Sequence, residues 1–304
     1  MIARRTTPGF TIIELVSVLV VLGIVASVAG IGIVEAVKAY RKTIDRSELA
    51  DMADGALRRI ARDLRYSLPM STRTTTTSGV VYLETIVSKN GGRYRKGGTE
   101  LVSGGSLIED GVDNKFESLA ALSEPPGQVA VVGDLIVTKN LHRLESETTD
   151  NAYTRGSAAT YCATSNSANC NTAVITSIDR SVSDTTVFSY DDRLLKAGAN
   201  QEFYILAATP AVTYVCTPGT SADGQEGTGT LKLYYNYAIS LAQPVSTSAE
   251  PLASGKNAVL ADYVSGCQAD AQPEYGYAYM RVELRRGGET MSLYYAMQLP
   301  RSGG

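Results

Sequence analysis

Residues Phe10–Val34, FTIIELVSVLVVLGIVASVAGIGIV, decide how this chain is read, because a single charged side chain, Glu14, interrupts an otherwise apolar and small-residue run. As a helix the run would extend about 37 Å, more than the roughly 30 Å of hydrocarbon in a bilayer. Arg4 and Arg5 are the only charged side chains ahead of it. The positive-inside bias therefore predicts a cytoplasmic N-terminus and an extracytoplasmic remainder. A secretory signal would show a shorter apolar core with a small-residue cleavage site beyond it, whereas here the polar-to-apolar junction itself holds Pro8, Gly9 and Phe10. A carboxylate inside hydrocarbon costs roughly 2.5–3.5 kcal/mol, so Glu14 is expected to have a cationic partner. The plainer reading is that it snorkels to the interface near the helix start.

Beyond Val34 the helix is predicted to continue to about Ser67, since no proline intervenes before Pro69. Leu49, Met52, Ala56, Ile60 and Leu64 recur at spacings of three and four and form one stripe, predicting an amphipathic second half, residues 35–68, laid against a globular domain. The run Arg58-Arg59-Ile60-Ala61-Arg62-Asp63-Leu64-Arg65 interleaves its cations with an acid and apolar residues, which fits a solvated helix face better than a nucleic-acid patch. Ser71–Gly79 reads as a polar linker. After it come strand-like runs at Val80–Thr85, Val129–Lys139, Val187–Tyr190, Glu202–Ala207, Val212–Cys216 and Leu231–Ile239. The clearest pair is C-terminal: alternating apolar residues from Ala278 to Leu284 and from Met291 to Leu299 flank Gly287-Gly288, a β-hairpin with one buried face. A long helix followed by antiparallel strands predicts an α+β fold over residues 69–304 with the sheet packed on the helix. Asn90–Gly98, Ser146–Thr172, Thr217–Gly229 and Gln243–Lys256 read as long surface insertions.

The net charge of −3 and pI near 5.4 offer no global attraction to nucleic acid, and none is expected as a partner. Four cysteines, Cys162, Cys170, Cys216 and Cys267, form no C-x-x-C pair, and His142 is the sole histidine. Zinc is disfavoured, and disulfides are expected if the domain leaves the cytosol. Of the three possible connectivities, Cys162 with Cys170 and Cys216 with Cys267 needs the least chain crossing. Free buried thiols are the plain alternative.

The run Gly9-Phe10-Thr11-Ile12-Ile13-Glu14-Leu15 resembles the recognition sequence of type IV prepilins: a glycine, an aromatic and a glutamate five residues after the glycine, at the edge of a spanning segment. The resemblance implies the type IV pilin fold and cleavage between Gly9 and Phe10 by prepilin peptidase, so that residues 1–9 are a leader and 10–34 the transmembrane half of the helix. It also implies N-methylation of Phe10 and pairing of Glu14 with the Phe10 amine of a neighbouring subunit. Many major pilins carry a proline where this chain has Ile31. Gly23, Gly30 and Gly32 instead weaken the helix by about 1 kcal/mol each relative to alanine, or pack closely against neighbouring helices.

The stretches Tyr40–Thr43, Arg58–Pro69, Ala211–Cys216, Leu260–Cys267 and Glu289–Tyr294 resemble the minor pilins of the mannose-sensitive haemagglutinin (MSHA) type IV pilus, of the biogenesis-protein-O kind. The helix is also similar to the J-type minor pseudopilins of type II secretion. Either likeness implies a low-copy subunit at the tip of a pilus or pseudopilus that primes its assembly. It would be held in the bacterial inner membrane with its domain in the periplasm. Its partners would be prepilin peptidase, other minor and major pilins and the inner-membrane assembly platform.

Two rivals are weaker. An anchored periplasmic enzyme would have only His142 for a histidine-based triad, with no motif around it, and Asp191-Asp192 reads as a turn; no catalytic residue and no cofactor is expected. A DNA-uptake pilin would use Arg93-Tyr94-Arg95-Lys96 as a phosphate-contacting loop, for which loop solvation is the plainer account.

Overall fold

A computed structural model describes residues 9–94, 115–122, 124–144, 146, 150–157, 171–181, 185–191, 198 and 200–301. The chain divides between Glu48 and Leu49 into two compact units. Helix α1, Ile12–Arg65, begins in the first unit and ends in the second. In the first unit the described side chains of Phe10, Ile12, Ile13 and Leu15 through Val25 are exposed on every side of the helix. Among the described residues no helix is long and apolar enough to cross a membrane. The side chains at 28–32, inside the expected span, lie outside the described residues.

In the second unit the apolar stripe of α1 is buried as its periodicity requires: Leu49, Ala53, Ala56, Leu57, Ile60 and Leu64 are all at or near zero exposure, with Met52 at the margin. They face a large antiparallel sheet. Its strands are β1 (Arg73–Thr77), β2 (Val80–Arg93), β3 (Lys115–Glu117), β4 (Leu135–Val137), β5 (Thr172–Asp179), β6 (Val187–Tyr190), β7 (Glu202–Thr217), β8 (Gly229–Tyr237), β9 (Lys256–Gln272), β10 (Tyr277–Arg286) and β11 (Glu289–Gln298). The order is β11-β10-β9-β8-β7-β4-β5-β6-β3, with β2 also on β7 and β1 on β2. This is the expected α+β class.

Strand β7 organises the sheet. One edge pairs along its length with β2, and the other is shared by β8 at its C-terminal half and β4 at its N-terminal half. The C-terminal half leads to the strands that cover α1. The N-terminal half leads to a second core of Tyr94, Phe116, Phe188, Tyr190 and Phe203 with ring centroids 5.0–6.3 Å apart, which takes three of the chain's four phenylalanines.

Several expectations are corrected. Glu202–Ala207 and Val212–Cys216 are one strand, because Pro210 lies where the ladder slips out of register and its missing N–H breaks little. Ser71–Gly79 is no simple linker: Arg73–Thr77 is a strand of β-branched threonines, joined to β2 by a two-residue turn in which Ser78 and Gly79 both have positive φ. Val129–Lys139 shrinks to Leu135–Val137, since Gly133 at φ 93° and a hydrogen bond from Val131 N–H to the Asp134 carboxylate turn the chain first. The expected insertion at 146–172 contributes buried Ala152, Tyr153 and Thr154, and the one at 90–98 is strand up to Arg93. The C-terminal hairpin matches its expectation, with positive φ at Gly287 and Gly288 and Arg286 opposite Glu289.

Cys216 and Cys267 form a disulfide with Cα atoms 6.3 Å apart, tying β7 to β9. Cys162 and Cys170 lie outside the described residues. At the neighbouring start of β8 the backbones approach so closely that a Cβ on Gly229 would collide with the Thr217 and Val264 carbonyls. On the chain-entropy account, closing a loop with a sequence separation of 51 stabilises the unit by about 4 kcal/mol. The double variant Cys216→Ala/Cys267→Ala is therefore expected to unfold at a markedly lower urea concentration, by a comparable free energy.

Candidate functional site

Polar groups stand out at the helix start in the first unit and on both faces of the sheet in the second. At the helix start Gly9 and Phe10 precede α1, and Phe10 is 82% exposed. Thr11 caps the helix: its side-chain oxygen accepts from Glu14 N–H at 3.3 Å and its carbonyl from Glu14 N–H at 3.1 Å. Thr11-Ile12-Ile13-Glu14 thus has the S/T-x-x-E form of a capping box, with Glu14 at the third helical position. An acid in the first turn also suits the positive end of the helix dipole. The sequence reading missed this local role of Glu14, although the spacing was visible. The Glu14 carboxylate is exposed, so its side chain remains available for a further partner.

In the second unit, on the sheet face opposite the helix, Arg73, Glu84 and Thr213 stand side by side on β1, β2 and β7 as paired residues. The Arg73 and Glu84 side chains are 4% and 0% exposed. Arg73 Nε donates to Glu84 Oε2 at 2.7 Å, and its other nitrogens donate to the Leu241, Ser240 and Arg143 carbonyls. The guanidinium also lies 3.6 Å above the centre of the Tyr153 ring. Tyr237 donates to Glu84 Oε1 at 3.0 Å and shares a 2.6 Å hydrogen bond with Thr213, while Tyr153 O–H donates to the Ser71 carbonyl. Burial pushes the Glu84 carboxyl up and opposes the Arg73 charge, but Tyr153 and Glu84 outweigh that burial and hold the guanidinium above its ordinary value. Every donor and acceptor named is engaged within the fold, so the cluster is a structural clasp and presents no open nucleophile or acid–base pair.

A second polar contact fastens α1. Tyr214 O–H donates to Asp63 at 2.7 Å, and Arg59 holds the same carboxylate at 3.0 Å. Asp63 therefore belongs to the packed side of the helix, although the sequence places it within a solvated run.

The remaining sequence candidates do not converge. His142 sits in a loop and its backbone N–H donates to the Asp150 carbonyl. Asp191 Oδ1 accepts from Val174 N–H at 2.6 Å, and Asp192 lies outside the described residues. Tyr94, expected on a phosphate-contacting loop in the DNA-uptake reading, is 1% exposed in the aromatic core, and Arg95 and Lys96 lie outside the described residues. Among the described residues no cluster of histidine, cysteine and carboxylate side chains could hold a metal ion. Comparison of the chain with protein-family models, with curated proteins and with solved structures finds no match in any of the three.

Two outcomes follow from these buried polar groups. Arg73→Met would leave Glu84 buried without its cation and is expected to destabilise the unit by about 3–5 kcal/mol, while adding Glu84→Gln should recover part of the loss; urea unfolding of the single and double variants measures the coupling. Burial first, and then neighbouring carboxylates, raise the phenols of Tyr153, Tyr204, Tyr214 and Tyr237 well above the ordinary tyrosine value. The folded state thus prefers the neutral phenol. Its contribution is fully present below pH of about 10, where an unfolded tyrosine ionises, and is lost as pH rises from there toward the folded values. In an ultraviolet titration these four should gain phenolate absorbance only together with loss of the folded circular-dichroism signal.

Proposed function

We propose that the chain is a minor pilin or pseudopilin. In this reading prepilin peptidase removes residues 1–9, the amine of Phe10 is methylated, and residues 10–34 hold the subunit in the membrane until it enters a filament. The observation that supports it most is the junction Gly9-Phe10-Thr11-Ile12-Ile13-Glu14, where a leader-like glycine, an aromatic and a lone acid open a sequence run, Phe10–Val34, with no other charge, at the start of helix α1. The all-round exposure of that helix's apolar side chains supports it too, because such a surface calls for lipid or neighbouring helices. So do the α+β architecture of the second unit and its disulfide, which suits an oxidising compartment.

Glu14 has two tasks on this account. It completes the capped first turn of its own helix, and its exposed carboxylate meets the Phe10 amine of an adjacent subunit within the filament. The partners are the peptidase, other minor and major pilins and the assembly platform. Among pilins the proposal favours an MSHA-like minor pilin acting at the tip, since a domain of eleven described strands with several buried clusters is bulky for a filament wall.

Mass spectrometry of the protein extracted from membranes of its native host tests the reading. The expected N-terminus is a methylated Phe10; an intact Met1, or a cut downstream of Val25, would overturn it. Substituting Gly9 by a bulky residue should leave the leader attached. Glu14→Gln should permit processing and folding but reduce recovery in sheared filaments by about tenfold or more, as expected when a buried ion pair loses one member.

A further inference from the structure

The flank of the sheet at β11 is open. Strand β11 is the last in the order and, among the described residues, pairs only with β10. Its ten residues contain no proline, lysine or arginine, and its register with β10 runs from Glu289 to Gln298 without a bulge. Sheets normally protect an edge of this kind with charge, proline or a bulge, because unpaired N–H and C=O groups template another strand. The core is also unfinished on this side. Met280, Val282 and Leu284 on β10 have no exposure, whereas their partners on β11 are less covered: Met291 and Leu293 are half-buried and Tyr295 is 42% exposed. Beside Tyr295 and Met297 a groove of about 690 Å³ runs between β11 and the last turns of α1, bordered by Ala61, Arg65 and Arg301.

The groove's charged groups decide what fits. Arg65 and Arg301 are exposed, neither meets a carboxylate among the described residues, and Arg301 donates only to the Tyr275 carbonyl. Among the described residues that line it the groove has no acid. A second copy of this chain is the poorer match, since Glu289, the only acid on β11, is already engaged in contacts of its own.

We propose that β11 and this groove bind an extended segment of a different protein chain by strand addition. The incoming backbone pairs with the free edge of β11. Alternate apolar side chains enter the groove over Tyr295 and Ala61, and an acidic group at the strand's end meets Arg65 and Arg301. The main chain supplies affinity, and the two guanidiniums supply direction and choice of partner. This does not rest on the pilin reading, and its readout is separate from processing and assembly.

The test uses the full chain in detergent micelles and a fluorescein-labelled synthetic peptide of about ten residues that alternates valine with threonine and has glutamates at both ends. The expected result is saturable binding with slowed amide exchange along β11, and affinity at least about fivefold weaker for the same peptide ended with lysines. Arg65→Glu/Arg301→Glu should reverse that preference while leaving the unfolding midpoint unchanged, both side chains being on the surface. The proposal is overturned if β11 exchange does not change. It is also overturned if a proline-interrupted or lysine-ended peptide binds equally well, or if sedimentation shows the chain pairing with itself and β11 already protected without peptide.

Discussion

Burial of the stripe Leu49, Ala53, Ala56, Leu57, Ile60 and Leu64 against the sheet is the contact on which the second unit depends. Each large apolar side chain removed from water there contributes about 1.5–3 kcal/mol, and no other element among the described residues presents a comparable apolar face to these strands. The stripe meets Leu83 on β2, Tyr214 and Cys216 on β7, Leu231 and Leu233 on β8, and Met280, Val282 and Leu284 on β10, so one helix face ties together strands distant in sequence. Hydrophobic burial alone would let the helix slide along the sheet. The hydrogen bond from Tyr214 to Asp63, braced by Arg59, is directional and fixes the register.

The opposite face of the same strands is held by different physics. Arg73, Glu84 and Thr213 form a polar row in the middle of a sheet, with Tyr153 and Tyr237 closing over it. A buried ion pair of this kind adds little net stability over an apolar replacement, but it rejects any pairing that leaves either charge unmatched. Since β1 and β2 would otherwise show only generic strand preferences, the clasp is well suited to define how Arg73 and Glu84 align. Strand β7 then extends past Pro210 to found the aromatic core, which shares no residue with the helix-covered one.

The elements with one dominant period were legible in the sequence. The helical stripe kept its spacing of three and four, and the C-terminal hairpin kept strict alternation around Gly287-Gly288, so both were located from residue order alone. Strand β9 was not: register shifts opposite Gly229, Leu231 and Glu283, together with positive φ at Tyr263, break its period of two. Strand β1 was hidden because a threonine run satisfies linker and strand rules alike, and only tertiary pairing chooses between them. The acid of β2 was visible in Val80-Val81-Tyr82-Leu83-Glu84, but its partner Arg73 is identified only by strand pairing, and Tyr153 comes from a segment whose composition suggested solvent. At the helix start the sequence revealed the lone acid, while the cap that employs it locally emerged from the hydrogen bonds of Thr11.

The bond between Cys216 and Cys267 also has a mechanical meaning for the second unit. Tension applied through α1 would have to unzip the sheet strand by strand, yet the segment between the two cysteines, separated by 51 positions, is closed into a covalent loop that cannot be drawn out. About 170 Å of contour is thereby withheld from extension. Strand β8 and the first part of β9 lie inside that loop, so a pulling force on the chain either side of it passes through the disulfide and is routed around them.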